Sequence, residues 1–221
     1  MTKQPDTLRS RYVVVDGPIG VGKTSLATIL AEKLEGRLVL ERAEDNPFLA
    51  DFYRDPSRFR FQTQTFFLLS RFSQQQEMLQ PDLFDRIIVS DYIFEKDRIF
   101  ACLNLDEHEL ALYDQIYRLL EPKIVPPDLV IFLQADTETL LRRIRQRSRS
   151  FEKDVDPEYI AAVNEAYNQF FFRYTDTPLL VINTSDIDFV NRRDDLEDLM
   201  KQVLAMQAGT QYYVPRSQGK K

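Results

Sequence analysis

The segment Gly17-Pro18-Ile19-Gly20-Val21-Gly22-Lys23-Thr24 satisfies the pattern GxxxxGK[ST], and each fixed position has a chemical task. Glycines let backbone N–H groups turn inward around phosphates, Lys23 neutralises charge on the β and γ oxygens, and Thr24 offers a hydroxyl to Mg²⁺. A helix starting here, through Ser25-Leu26-Ala27, points its positive end at the same anion. Gly17, Gly20, Gly22, Lys23, Thr24 and Ser25 are therefore the expected contacts of a nucleoside triphosphate.

Further acids and cations have places in phosphoryl transfer. Asp16 and Glu41 close apolar runs and Asp91 follows a third, the position where ligands gather in an open parallel sheet. Asp16 is read as a hydrogen-bond acceptor for the loop backbone. Asp91 is expected to hold Mg²⁺, directly or through water, beside Thr24. Glu41 is the candidate base; it and Asp91 could instead be a helix cap or an ion-pair partner. The run Arg142-Arg143-Ile144-Arg145-Gln146-Arg147-Ser148-Arg149 suits a lid that brings cations over a γ-phosphate and excludes water, although Arg142 and Arg145 need not face the site. His108 reads as a surface residue and Cys102 as a core residue, and one His with one Cys leaves no zinc site.

The elements that must position these groups follow from pattern. Tyr12–Val15, Arg37–Leu40, Arg86–Val89, Leu129–Leu133 and Leu179–Ile182 read as five buried parallel strands, with helical segments between them. The interval from Asn46 to about Gln80 reads as all-helical, with Phe59, Phe66, Phe67, Leu69 and Phe72 as core contacts. Asp106 with Glu109 forms a capping box, Asp136 precedes the Leu140/Leu141/Ile144 stripe, and Asp156-Pro157 opens another helix. The expected fold is α/β, a five-stranded parallel sheet covered by helices on both faces. One domain over 1–208 with a lid around 143–152 and a mobile tail over 209–221 is expected.

The 221 residues suffice for one domain, which buries roughly 70% of the surface its unfolded chain exposes. A formal net charge of −6 argues against nucleic acid as the main partner. The N-terminus lacks the apolar core of a signal peptide, no run reaches membrane-span length, and no internal disulfide can form, so a soluble protein of a reducing compartment is expected.

Together these motifs resemble the deoxynucleoside kinase family, especially its bacterial deoxyadenosine/deoxyguanosine kinases, from Tyr12 to about Val203. Glu41 with Asn46-Pro47-Phe48-Leu49 and Phe52-Tyr53 is similar to the family segment bearing the base and a tyrosine for the sugar 3′-hydroxyl. Phe61-Gln62-Thr63-Gln64 and Leu68-Leu69-Ser70-Arg71 resemble its base-recognition helix. The resemblance implies that Gln64 pairs with the nucleobase, that Arg71 reaches its edge with Asp97 as partner, and that Arg143, Arg147 and Arg149 are the lid arginines. It also implies that Glu152 touches the 3′-hydroxyl and that Asp188-Phe189 underlies the donor adenine. The implied reaction is transfer from ATP, with Mg²⁺, to the 5′-hydroxyl of deoxyadenosine, deoxyguanosine or deoxycytidine rather than thymidine, by a cytoplasmic homodimer.

Two positions depart from the family pattern. Asp91-Tyr92-Ile93 replaces Asp/Glu-Arg-Ser, so an arginine expected near the transferring phosphate is missing, and Ser148 replaces a lid glycine. Lys96, four residues after Tyr92, is a better replacement cation than Arg98 if Tyr92 begins a helix. The competing readings are a monophosphate kinase of thymidylate kinase type, which would need extra cations for an acceptor phosphate, and a nucleotide-binding regulatory module.

Overall fold

The computed structural model describes residues 12–78, 87–147 and 155–215. Its strands are β1 (Tyr12–Asp16), β2 (Arg37–Val39), β3 (Ile88–Ser90), β4 (Leu129–Gln134), β5 (Leu179–Asn183) and β6 (Thr210–Tyr213), all parallel and ordered β2-β3-β1-β4-β5-β6. Alternation along the strands divides the core in two. Val13, Val15, Ile131, Leu133, Leu180 and Ile182 pack on one face against α1 (Lys23–Lys33), α6 (Thr137–Arg147) and α8 (Arg193–Ala205). Tyr12, Val14, Val130, Phe132, Leu179 and Val181 pack on the other, against α4 (Lys96–Asn104) and α7 (Pro157–Phe172). There Phe132 and Phe171 stack with ring centroids 4.1 Å apart. Because both faces are covered, the central strands β1, β4 and β5 read as continuous apolar runs, which is why the sheet was legible in the sequence.

The sheet has six strands rather than the expected five. β6 lies in the segment read as a mobile tail, where Leu179↔Thr210 through Ile182↔Tyr213 continue the sheet beyond β5. Its residues are largely exposed, so it carries no buried apolar run to betray it; backbone pairing with the edge of β5 decides its structure. The strand expected over Arg86–Val89 begins later, at Ile88, and Arg86 lies outside the described residues.

The interval after Asn46 is helical as expected, forming α2 (Leu49–Arg54) and α3 (Pro56–Met78). Its inward face differs from the aromatic reading, because Leu68 is fully buried while Leu69 is 49% exposed. Gln64, Leu68, Arg71 and Gln75 share the buried stripe at helical spacing, so α3 turns a mostly polar face inward. Gln74 Nε2 donates to Leu40 O at 2.8 Å and Gln75 Nε2 to the Tyr12 hydroxyl at 3.0 Å, fastening this helix to the sheet.

The helix starts follow the sequence. Asp106 and Glu109 complete the capping box of α5 (Glu107–Leu120), Asp136 Oδ1 accepts from Thr139 N at 2.7 Å, and Asp156 caps α7 with Pro157 in the first turn. His108 is exposed as expected, but Cys102 is exposed too: the apolar run around it lies on α4, and its neighbours Ala101 and Ile99 take the inward positions. Tyr92 does not begin a helix, since α4 starts at Lys96. Among the described residues no helix is long and apolar enough to cross a membrane.

Candidate active site

The phosphate loop leaves β1 at the sheet's topological switch, with β3 on one side and β4 on the other. Two glycines are required by its path. A Cβ on Gly17 (φ 152°) would stand 2.4 Å from Leu133 O, and Gly22 (φ 107°) takes the left-handed conformation at the N-cap of α1. With no side chain at this cap, the leading amides of α1 open on a cleft that Lys23, Thr24 and Ser25 line. Asp16 fixes the loop's entry as the sequence suggested. Its Oδ1 accepts from Gly17 N at 2.6 Å and from the Tyr167 hydroxyl at 3.3 Å, and its Oδ2 accepts from Ile93 N at 3.0 Å. Burial raises the Asp16 carboxyl above its ordinary value, against the pull of Lys96 and Lys23.

Lys23 Nζ donates to Pro18 O at 3.0 Å, curling back over its own loop. Burial, aided by repulsion from Lys96, lowers its pKa to about 8 against the attraction of Asp16, Glu41 and Asp91. Thr24 Oγ1 donates to Asp91 Oδ2 at 2.6 Å, while Asp91 Oδ1 accepts from Glu41 N at 2.7 Å. A hydroxyl and a carboxylate at one point form a hard oxygen donor set suited to Mg²⁺ that also binds phosphate oxygens.

Beyond the loop, the same cleft of about 1000 Å³ continues between α2, α3 and α4. Glu41 stands at the junction. Its Oε1 accepts from Arg71 Nε at 2.8 Å and also from Arg71 Nη2, and its Oε2 accepts from Lys96 Nζ at 2.9 Å. Burial alone would raise its pKa; Lys96 and then Arg71 outweigh burial and hold the carboxyl well below the usual carboxylate range. Arg71 continues through Nη1 to Asp97 Oδ2, and its guanidinium lies 4.8 Å from the Phe67 ring centroid. Asp97, fully buried, also accepts at Oδ1 from Gln64 Nε2 at 2.5 Å and from the Tyr113 hydroxyl at 2.9 Å. Tyr53 lines the wall, its ring 5.4 Å from that of Phe52. Asn46 ties this wall to α3 by donating from Nδ2 to Thr63 O at 3.1 Å.

At the opposite end, Phe189 is buried against the phosphate loop, so close that a Cβ on Gly22 would meet its Cζ at 3.1 Å. Asp188 Oδ1 accepts from Val190 N and Asn191 N at 3.2 and 3.0 Å, shaping the turn into α8. Arg143 is engaged with backbone rather than standing over the loop. Its Nη2 donates to Thr184 O at 2.7 Å and Ile187 O at 3.3 Å, and Nη1 to Val21 O at 3.3 Å. It thereby joins the phosphate loop to the Asp188-Phe189 turn. Arg147 lines the cleft, and so does Arg142, whose orientation the spacing leaves open. Residues 148–154 lie outside the described residues, and with them Arg149, Glu152, Ser148 and the outer half of the expected lid.

Sequence reasoning left Tyr113, Tyr167 and Thr184 out of the site. Each acts through a hydroxyl on a group already recognised, and a tyrosine inside a helical pattern carries no signal beyond hydrophobic burial. Lys96 was weighed only as a substitute cation, yet it is 2% exposed and bonded to the candidate base. Arg98 points elsewhere, pairing at 3.5 Å with Asp114.

A family model described as deoxynucleoside kinase matches residues 13–207. A deoxyguanosine kinase of Bacillus subtilis (strain 168) is 33% identical over 197 residues, covering 87% of this chain and 95% of its own. A deoxyadenosine kinase of Dictyostelium discoideum is 36% identical over 189 residues, covering 83% of this chain and 76% of its own. A solved structure of deoxyadenosine kinase from M. mycoides, with products dCMP and a flexible dCDP bound, matches with a TM-score of 0.75 at 25% identity, over 88% of this chain and 100% of that one. A phosphate loop opening into a cleft with a paired carboxylate, and a match that runs from β1 into the end of α8, agree on one assignment: the chain belongs to the deoxynucleoside kinase family.

Proposed function

We propose that the protein transfers the γ-phosphoryl group of ATP to the 5′-hydroxyl of deoxyadenosine, deoxyguanosine or deoxycytidine. The observation that carries this reading is the position of Glu41, a carboxylate at the junction of the phosphate loop with the cleft that Gln64, Arg71 and Asp97 line or close. A sugar hydroxyl is a weak nucleophile, and a carboxylate within hydrogen-bond reach can take its proton as transfer proceeds. In this reading Lys23, Arg147 and, by the family resemblance, Arg149 and Arg143 would balance charge spreading over the phosphoryl oxygens. Thr24 and Asp91 would hold Mg²⁺, which would supply charge neutralisation when bound.

Gln64, Arg71 and Asp97 would read the base, and Tyr53 and Glu152 the sugar 3′-hydroxyl. Gln64 Nε2 is held by Asp97 in the free protein, so paired hydrogen bonds to a base require that contact to be exchanged. The charged Arg71–Asp97 pair would leave less room for a thymine methyl than smaller apolar residues there, so thymidine is disfavoured in this reading. Phe189 and Asp188 would support the donor adenine. We also propose a second copy of the chain as partner, on the exposed leucines Leu69, Leu103 and Leu112 of three neighbouring helices, and a cytoplasmic role in nucleotide salvage.

Incubation with Mg-ATP and each deoxynucleoside or its monophosphate, with products resolved chromatographically, tests the proposal. New monophosphate from a nucleoside is expected. Diphosphate made only from monophosphate would select the thymidylate kinase type, and no product from either acceptor would select a regulatory module.

A further inference from the structure

Lys96 opens α4 with its ammonium buried, and a buried ammonium needs an anion. It has one in Glu41 Oε2 at 2.9 Å, with the Tyr92 ring, centroid 6.0 Å away, as an apolar neighbour. Its field also reaches Lys23, which it repels, and Asp16, which it attracts. Lys96 lines the same cleft as the candidate base and the phosphate loop.

Three donors hold Glu41 in this state, two on Oε1 and one on Oε2. Arg71 holds Oε1 through Nε and Nη2 and is itself anchored on Asp97, whereas Lys96 holds Oε2 through one nitrogen on a flexible stem. Oε2 keeps a free lone pair but is a weak base while the ammonium is paired with it, and the single-point partner is the one that can leave. An anion placed on the phosphate loop relieves the Lys23–Lys96 repulsion and offers Lys96 a new partner.

We propose that Lys96 is an exchange cation: it covers Glu41 Oε2 in the free protein and passes to the transferring phosphoryl group when the triphosphate enters, freeing Oε2 for the 5′-hydroxyl proton. The inference rests on the kinase reading above. In the step, the 5′-oxygen bonds the γ-phosphorus and the bond from that phosphorus to the bridging oxygen breaks. The electron pair leaves on the nucleoside diphosphate, and the hydroxyl proton passes to Glu41 and then to solvent. One buried ammonium thus couples donor binding to exposure of the base.

The test compares wild type, Lys96→Met, Lys96→Gln, Lys96→Arg and Arg98→Ala, with steady-state kinetics and calorimetric binding of Mg-ADP and the Mg complex of β,γ-imido-ATP. Lys96→Met and Lys96→Gln should lose roughly 10²-fold in kcat, with the nucleoside KM changed less than about threefold. Both should narrow the affinity gap between imido-ATP and ADP by about tenfold, while Lys96→Arg keeps most of the turnover and Arg98→Ala all of it. Lys96→Gln keeps a hydrogen-bonding tip on Glu41, so it gives both readings if the Met variant folds poorly. An active wild type with unimpaired Lys96→Gln, or a loss confined to nucleoside KM with the affinity gap unchanged, overturns the inference alone. A wild type that phosphorylates no nucleoside overturns the kinase reading and this inference together.

Discussion

The two ends of the cleft are built by different physics. The phosphate end is a contiguous backbone loop whose donors are main-chain amides and whose shape is dictated by Gly17 and Gly22. The nucleoside end is a set of charged side chains from β2's exit, α3 and α4, in which Arg71, Lys96, Glu41 and Asp97 neutralise one another in near-complete burial. A backbone site tolerates side-chain replacement around it. An ionic network does not, because removing one member leaves another charged and buried.

The sharpest way to break this contrast is Arg71→Met. It leaves Asp97, fully buried, with only neutral donors in Gln64 and Tyr113, and should destabilise the fold by about 3–5 kcal/mol, read by urea denaturation. Adding Asp97→Asn should recover part of that loss; a double variant no more stable than the single would show that the charge was not the cause.

Glu41→Gln comes next, with turnover expected to fall roughly 10²-fold while ATP binding persists. Because Lys96 loses the carboxylate it is paired with and Arg71 keeps only its pairing with Asp97, the melting temperature should fall too, which distinguishes this site from an isolated base. Near-wild-type turnover at saturating nucleoside would remove Glu41 from the chemistry.

Gln64→Ala should weaken every accepted nucleoside by about tenfold in KM, with ATP affinity unchanged. A selective effect on one base would mean that Gln64 discriminates rather than serving all. The smallest effect is expected from Tyr92→Phe. Among the described residues the Tyr92 hydroxyl is buried without a hydrogen-bond partner, so its removal should be neutral or stabilise by up to about 1 kcal/mol in thermal unfolding. A clear loss of stability would show that the hydroxyl is satisfied in solution.

The same contrast explains what could be read before the structure was in hand. The phosphate loop was legible because its function is encoded in adjacent residues: the glycines, Lys23 and Thr24 need no distant partner to be recognised. The buried strands were legible because a sheet covered on both faces demands unbroken apolar runs. β6 escaped because its exposed residues gain their structure from the backbone of β5, and Leu69 was misplaced because the inward stripe of α3 is polar. Sequence alone thus determined the fold class, the phosphate loop and the identities of the acids and cations available. Tertiary structure decided which of them meet. It brought Lys96 rather than Arg98 to Glu41, fixed Arg143 on the carbonyls of Val21, Thr184 and Ile187, and hung Gln64, Arg71 and Tyr113 on one buried carboxylate. The reason is physical: local spacing fixes which side chains share a face, but a buried charge selects its partner from whatever distant segments the packed sheet brings within a few ångströms.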